Sequence, residues 1–95
     1  MKIELPTKYD NLTPVNRKLV REKYIELQKN KCWYCDKALD KDPPEDVLEK
    51  AIDLRLFPKG FLTHPVHLQH DHETGLTEGA VHARCNAVLW QYYDR

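Results

Sequence analysis

The chain has 95 residues, of which 41% are hydrophobic and 32% charged, with 15 Lys/Arg balanced by 15 Asp/Glu, five His and three Cys. At this length one small domain spanning residues 1–95 is expected, with a core so limited that a metal or a disulfide commonly supplements it, and no apolar run is long enough to cross a bilayer. Zero net charge argues against a partner held mainly by long-range attraction, but the charge is uneven: residues 1–31 carry eight Lys/Arg against four Asp/Glu, while 32–60 and 61–95 are each net −2. The start, MKIELPTKYD, has neither the basic nor the apolar region of a secretory leader, so the expected compartment is the cytoplasm. There, an odd number of cysteines beside histidines points to metal ligation rather than to a disulfide framework.

In chain order, Thr13 followed by Pro14 is an N-cap and first-turn signal. Leu12, Val15, Leu19, Val20, Tyr24 and Leu27 then recur at spacings of three and four, which predicts an amphipathic helix over 14–29. Arg17, Lys18, Arg21 and Lys29 lie largely off that stripe, either as a solvated face or as a phosphate-contacting one. Residues 36–46 read as a linker. Asp42-Pro43-Pro44-Glu45 opens a weaker helix with Val47, Leu48, Ala51, Ile52 and Leu56 as its apolar positions, stopped at Phe57-Pro58-Lys59-Gly60. Strand-like pieces follow at 66–71 and 76–81 around a turn at Thr74-Gly75, and the pattern from Asn86 to Tyr93 fits a closing helix that buries Val88, Leu89, Trp90 and Tyr92.

Two groups of side chains carry chemistry. Cys32-Trp-Tyr-Cys35 and His82-Ala-Arg-Cys85 each place two ligands two residues apart, and three thiolates with one imidazole are a standard structural zinc set. Forty-six residues lie between the half-sites, so a shared ion would tie the N-terminal half to the hairpin and last helix and couple folding to metal binding. The alternative is a pair of core or redox thiols beside an ordinary strand histidine, although a redox CxxC would call for a βαβ setting that is missing. The second group is His67, Gln69, His70, Asp71, His72 and Asn86. One-metal hydrolysis needs a base near neutrality, a divalent cation and few protein ligands, and these residue types can supply them. A loop of His and Asp that is merely solvated, or bonded to its own turn, is the plainer reading.

The order CxxC, then H-x-x-H-D-H-E-T-G, then a Gly-containing strand, then a ligand pair ending in Cys-Asn, resembles the HNH endonucleases, in the branch similar to phage recombination endonuclease VII. The likeness covers residues 32–36 and 67–90 and extends more loosely back through YIELQKNKCWYC. It implies an α+β domain of the ββα-metal fold, a hairpin followed by a helix, with DNA cleavage under a divalent cation. By that resemblance His70 is the general base, Asn86 a ligand of the catalytic cation, and His67 and His72 phosphate contacts. Cys32, Cys35, His82 and Cys85 are the zinc quartet, with His82 where the endonuclease VII branch has cysteine. Gln69 stands where the family commonly has the second cation ligand, Asp or His. Its carbonyl brings no charge, so Mg²⁺ should bind less well, and Mn²⁺ or Ni²⁺ should be favoured if an imidazole compensates.

The reading is therefore a zinc-stapled HNH-type DNA endonuclease with an N-terminal amphipathic helix, structural Zn²⁺ and catalytic Mg²⁺ or Mn²⁺/Ni²⁺. DNA is the expected partner and no membrane is involved. A non-catalytic zinc module that binds DNA or protein is the rival, as is a subunit of a phage packaging or restriction assembly in a bacterial host cell. The LWQYYDR end leaves open a homodimer.

Overall fold

The computed structural model describes residues 4–93. Helix α1 runs Pro14–Leu27, with the Thr13 side chain accepting from the Asn16 backbone N–H as the N-cap. It ends two residues short of the expected 29. Lys29 and Asn30 take positive φ, 55° and 61°, and Asn30 N–H bonds to Ile25 O at 2.8 Å, a left-handed C-terminal cap. Of the expected apolar stripe only Val20 and Tyr24 are buried, whereas Val15 and Leu27 are 69% and 59% exposed. The core face of α1 is therefore narrower than the periodicity implies.

The expected second helix shrinks to one turn, α2 at Glu45–Leu48, followed by a 3-10 turn at Leu54–Leu56. The last helix, α3 at Ala83–Tyr93, takes the backbone groups that a longer α2 would have used. Arg84 donates to Leu48 O and Lys50 O, Gln91 and Tyr92 donate to Ala51 O, and Gln91 Oε1 accepts from Asp53 N–H. Tertiary hydrogen bonds override the local periodicity here. The 36–46 stretch is also no linker. Lys31 and Ala38 form an antiparallel bridge, Leu39 is buried, and Leu39 N–H bonds to Asn30 O, so the segment folds back as part of the CxxC knuckle.

Strands β1 (Val66–His70) and β2 (Thr77–His82) form an antiparallel pair with Val66 opposite His82 and Gln69 opposite Gly79. The register shifts between Gln69 and His70, leaving Glu78 as the extra residue of a bulge. Asp71 makes the turn: its Oδ1 accepts from Glu73 and Thr74 N–H, its carbonyl accepts from Gly75 N–H, and Gly75 takes φ 77°. Helix α3 starts directly at the end of β2, three residues before the expected Asn86. It buries Ala83, Cys85, Asn86, Ala87, Val88 and Leu89, while Trp90 is half-buried and Tyr92 is 45% exposed.

Two devices lock the CxxC knuckle and α1 onto β2. Gln28 Oε1 accepts from Ala80 N–H and its Nε2 donates to Ala80 O and Lys31 O, so the amide stands in for a neighbouring strand. Trp33 N–H also bonds to Ala80 O. This close approach needs Gly79, where a Cβ would fall 2.7 Å from Gln28 Oε1 and 2.9 Å from Trp33 Cβ. The product is a small mixed α/β domain: a two-stranded hairpin running straight into a helix, with α1 and a Cys/His knuckle packed on it. No helix among the described residues is long and apolar enough to cross a membrane.

Candidate functional site

Cys32, Cys35, His82 and Cys85 converge: their ligand atoms all lie within 4.8 Å of one another. The imidazole Nδ1 of His82 is 3.4 Å from Cys35 Sγ and 3.6 Å from Cys85 Sγ. Zn–S and Zn–N bonds of about 2.3 and 2.0 Å at a tetrahedral angle require an S···N edge of about 3.5 Å, so the donors are spaced for one tetrahedral ion. The other ring nitrogen, Nε2, donates to Ala38 O and Lys41 O, each at 2.9 Å, which fixes the tautomer that leaves Nδ1 free to ligate. Protonation follows the same logic. Hydrogen bonding with Cys85 holds the Cys32 thiol down to about 4, whereas that same contact, with burial, pushes Cys85 up, and burial raises Cys35. Burial and mutual repulsion oppose ionising the three thiols together, and a cation among them would offset both. The four residues thus form a site suited to a structural metal such as zinc.

Cys85 sits in the first turn of α3, and the next residue, Asn86, faces the hairpin. Asn86 is 6% exposed, its Nδ2 donates to His67 Nδ1 at 3.0 Å, and its Oδ1 is buried with no hydrogen-bond partner. A hard cation is a fitting partner for such an oxygen. Around it opens a cleft of 850 Å³ bounded by α1, the 58–64 loop, β1 and α3. His67, His70, His72 and Asn86 all line it, as do Arg17 and Arg21 from α1. Strict alternation would send His67 and His70 to opposite faces of β1. The cleft nevertheless takes in residues of both parities at this strand, Val66, Leu68 and His70 as well as His67, so it wraps around β1 rather than lying on one face of it.

His67, His70 and His72 are each braced by an aromatic ring from a different segment, and His64 also lines the cleft. Tyr9 stacks on His70 at 4.0 Å and 9°, Phe61 meets His67 edge-on at 4.6 Å, and Trp90 meets His72 edge-on at 4.6 Å. Burial lowers the His67 pKa to about 4, against hydrogen bonds to the backbone of Phe61 and His64, so this ring is neutral. Burial also lowers His70; the neighbouring His72 and Arg17 add to the effect, and Asp10 and Glu78 oppose it.

Gln69 does not belong to this cleft. It is 1% exposed, and its Nε2 donates to His70 O at 3.0 Å and to Glu78 Oε1 at 3.4 Å. Its amide nitrogen ties off the bulge, and Gln69, expected to share a cation with Asn86, is not among the residues that line the cleft. Asp71, likewise, is spent on the turn. The sequence reading missed Tyr9, Phe61 and the placement of Trp90 against His72. Tyr9 is a lone aromatic in a polar stretch 61 positions before its partner, and nothing in local pattern links the two.

No family model, curated protein or solved structure matches this chain, so its functional reading rests on its own residues.

Proposed function

We propose that the chain is a metal-dependent DNA endonuclease of the HNH type that hydrolyses a phosphodiester in the cleft between α1, the hairpin and α3. One observation carries the reading: four histidines (His64, His67, His70 and His72) and an asparagine with an orphaned buried carbonyl oxygen meet in one basic cleft, beside a Cys₃His centre with Cys85 in the first turn of the helix bearing Asn86. In this reading His70, whose burial further favours the neutral ring, takes a proton from water. The water oxygen bonds to phosphorus as the bond to the leaving oxygen breaks, and that oxygen takes a proton from solvent. His72 contacts the phosphate being cut, and His67, expected to do the same, holds the Asn86 amide through its Nδ1. Arg17, whose Nε is buried without an acceptor, and Arg21 hold the flanking backbone. A divalent cation at Asn86 would supply charge stabilisation to the phosphate oxygens. No Asp or Glu lines the cleft among the described residues, so Mn²⁺ or Ni²⁺ should serve better than Mg²⁺.

The same lack of a carboxylate favours a second reading, a zinc-stabilised module that binds DNA without cutting it. Nicking of supercoiled plasmid by zinc-loaded protein, across Mg²⁺, Mn²⁺ and Ni²⁺, separates the two. The nuclease reading expects nicks that His70→Ala reduces by roughly two to four orders of magnitude with zinc content unchanged. DNA binding without a nick under any cation would establish the module instead.

A further inference from the structure

A catalytic histidine is ordinarily aimed by a hydrogen bond on its second ring nitrogen. Among the described residues no group hydrogen-bonds the His70 ring; what touches it is aromatic. Tyr9 lies flat on one face, centroids 4.0 Å apart and planes 9° from parallel, and His72 approaches at 4.8 Å and 58°. The Arg17 guanidinium carbon also sits over the Tyr9 ring, 4.4 Å from its centroid, so Arg17, Tyr9 and His70 form one contiguous cluster on the cleft wall.

The cluster is anchored from two segments. Residues 7–9 run antiparallel to the end of the hairpin: Thr77 N–H bonds to Thr7 O, Thr7 N–H to Thr77 Oγ1, and Tyr9 N–H to Gly75 O. Lys8 Nζ adds a bond to Thr74 O. Thr77, which holds Thr7, is directly opposite His70 in the register. The same backbone ladder that seats the N-terminal segment therefore sets Tyr9 against the ring. Arg17, one turn into α1, holds the Tyr9 ring from that helix.

We infer that Tyr9 is a positioning residue for the His70 base, its ring taking the orienting role that a hydrogen bond would otherwise fill, and that the 7–9 segment is thus part of the active site. This rests on the endonuclease reading above. A flat stack restricts rotation of the imidazole about its long axis while leaving both ring nitrogens free, one for the water and one for solvent. Misorientation of a general base by a rotamer costs rate without costing substrate affinity, so the effect belongs in kcat.

The test uses the full zinc-loaded chain with Tyr9→Phe, which keeps the stack, and Tyr9→Leu, which removes the π-face. Kinetics are measured with saturating Mn²⁺, together with the proton shift of the His70 ring by NMR. Tyr9→Leu should lower kcat by roughly ten- to a hundred-fold with KM within about twofold, and Tyr9→Phe should restore kcat to within about threefold of the parent. The His70 ring proton, shielded by the Tyr9 ring current, should move downfield in Tyr9→Leu alone. In a His70→Ala background Tyr9→Leu should cost nothing further. If Tyr9→Leu loses zinc or structure, Tyr9→Met, similar in reach and without a π-face, reads the same quantities. Unchanged kcat in a folded Tyr9→Leu or Tyr9→Met, or an equal loss in the His70→Ala background, overturns the inference while leaving the endonuclease intact. A parent protein that cuts no DNA under any cation brings down both.

Discussion

At the scale of single residues, two neighbours on β1 differ in kind although the sequence presents them as one motif. His70 is half-buried in a cleft, and its pKa lies below the ordinary 6.5 because burial, with the charge of His72, outweighs Asp10 and Glu78. A base acts in its neutral form, so a lowered pKa keeps it active further into acid. The acid limb of the kcat/KM profile, which reports the free protein, should accordingly fall below pH 6.5, and a limb at or above that value would contradict the assignment. Gln69 is buried, and its amide donates to His70 O and to the Glu78 carboxylate. Replacing it with Asp removes the donor and sets two carboxylates together, so Gln69→Asp should cost about 1–3 kcal/mol of stability with no gain in Mg²⁺-supported cutting. Thermal unfolding and a Mg²⁺ titration of cleavage check both halves. Increased Mg²⁺ cleavage would return residue 69 to the cation.

At the scale of elements, the junction of β2 with α3 does the most. His82 closes the strand, Cys85 opens the helix, and Asn86 follows, so one ion would fix both the helix start and the direction of Asn86. Removing Cys85 leaves three ligands around a buried site, and Cys85→Ser should lose zinc and most tertiary structure, seen as collapse of the near-ultraviolet circular dichroism. A strong chelator should do the same to the parent. This junction was legible from the sequence because two CxxC-like spacings are local and chemically narrow. The hairpin was legible to within a residue or so, since alternation and the Asp71–Gly75 turn agree. The second helix was not legible: its periodicity is real, but Arg84, Gln91 and Tyr92 capture its backbone, and a pattern confined to residues 44–56 carries no trace of them. The stacking of Tyr9 on His70 was hidden for the same reason, being a contact between distant segments joined by backbone bonds.

At the scale of the molecule, charge decides how DNA would be held. The chain is neutral overall, and its positive excess lies in residues 1–31, which include Arg17 and Arg21 on the cleft wall. The segment from 36 to 53 is acidic and would repel a phosphate backbone laid across it. The footprint should therefore be short, with two phosphates neutralised at the cleft rather than a broad basic track. Each neutralised phosphate of duplex DNA contributes about −0.9 to the slope of log K against log salt, so two contribute about −1.8. Fluorescence anisotropy with His70→Ala protein, chosen because the endonuclease reading expects it to keep binding while losing cleavage, should give a slope near this value, and Arg17→Ala or Arg21→Ala should each flatten it by about one. A slope steeper than about −5 would mean that DNA is held by many phosphates along a surface other than this cleft, and the two arginine substitutions would then barely change it.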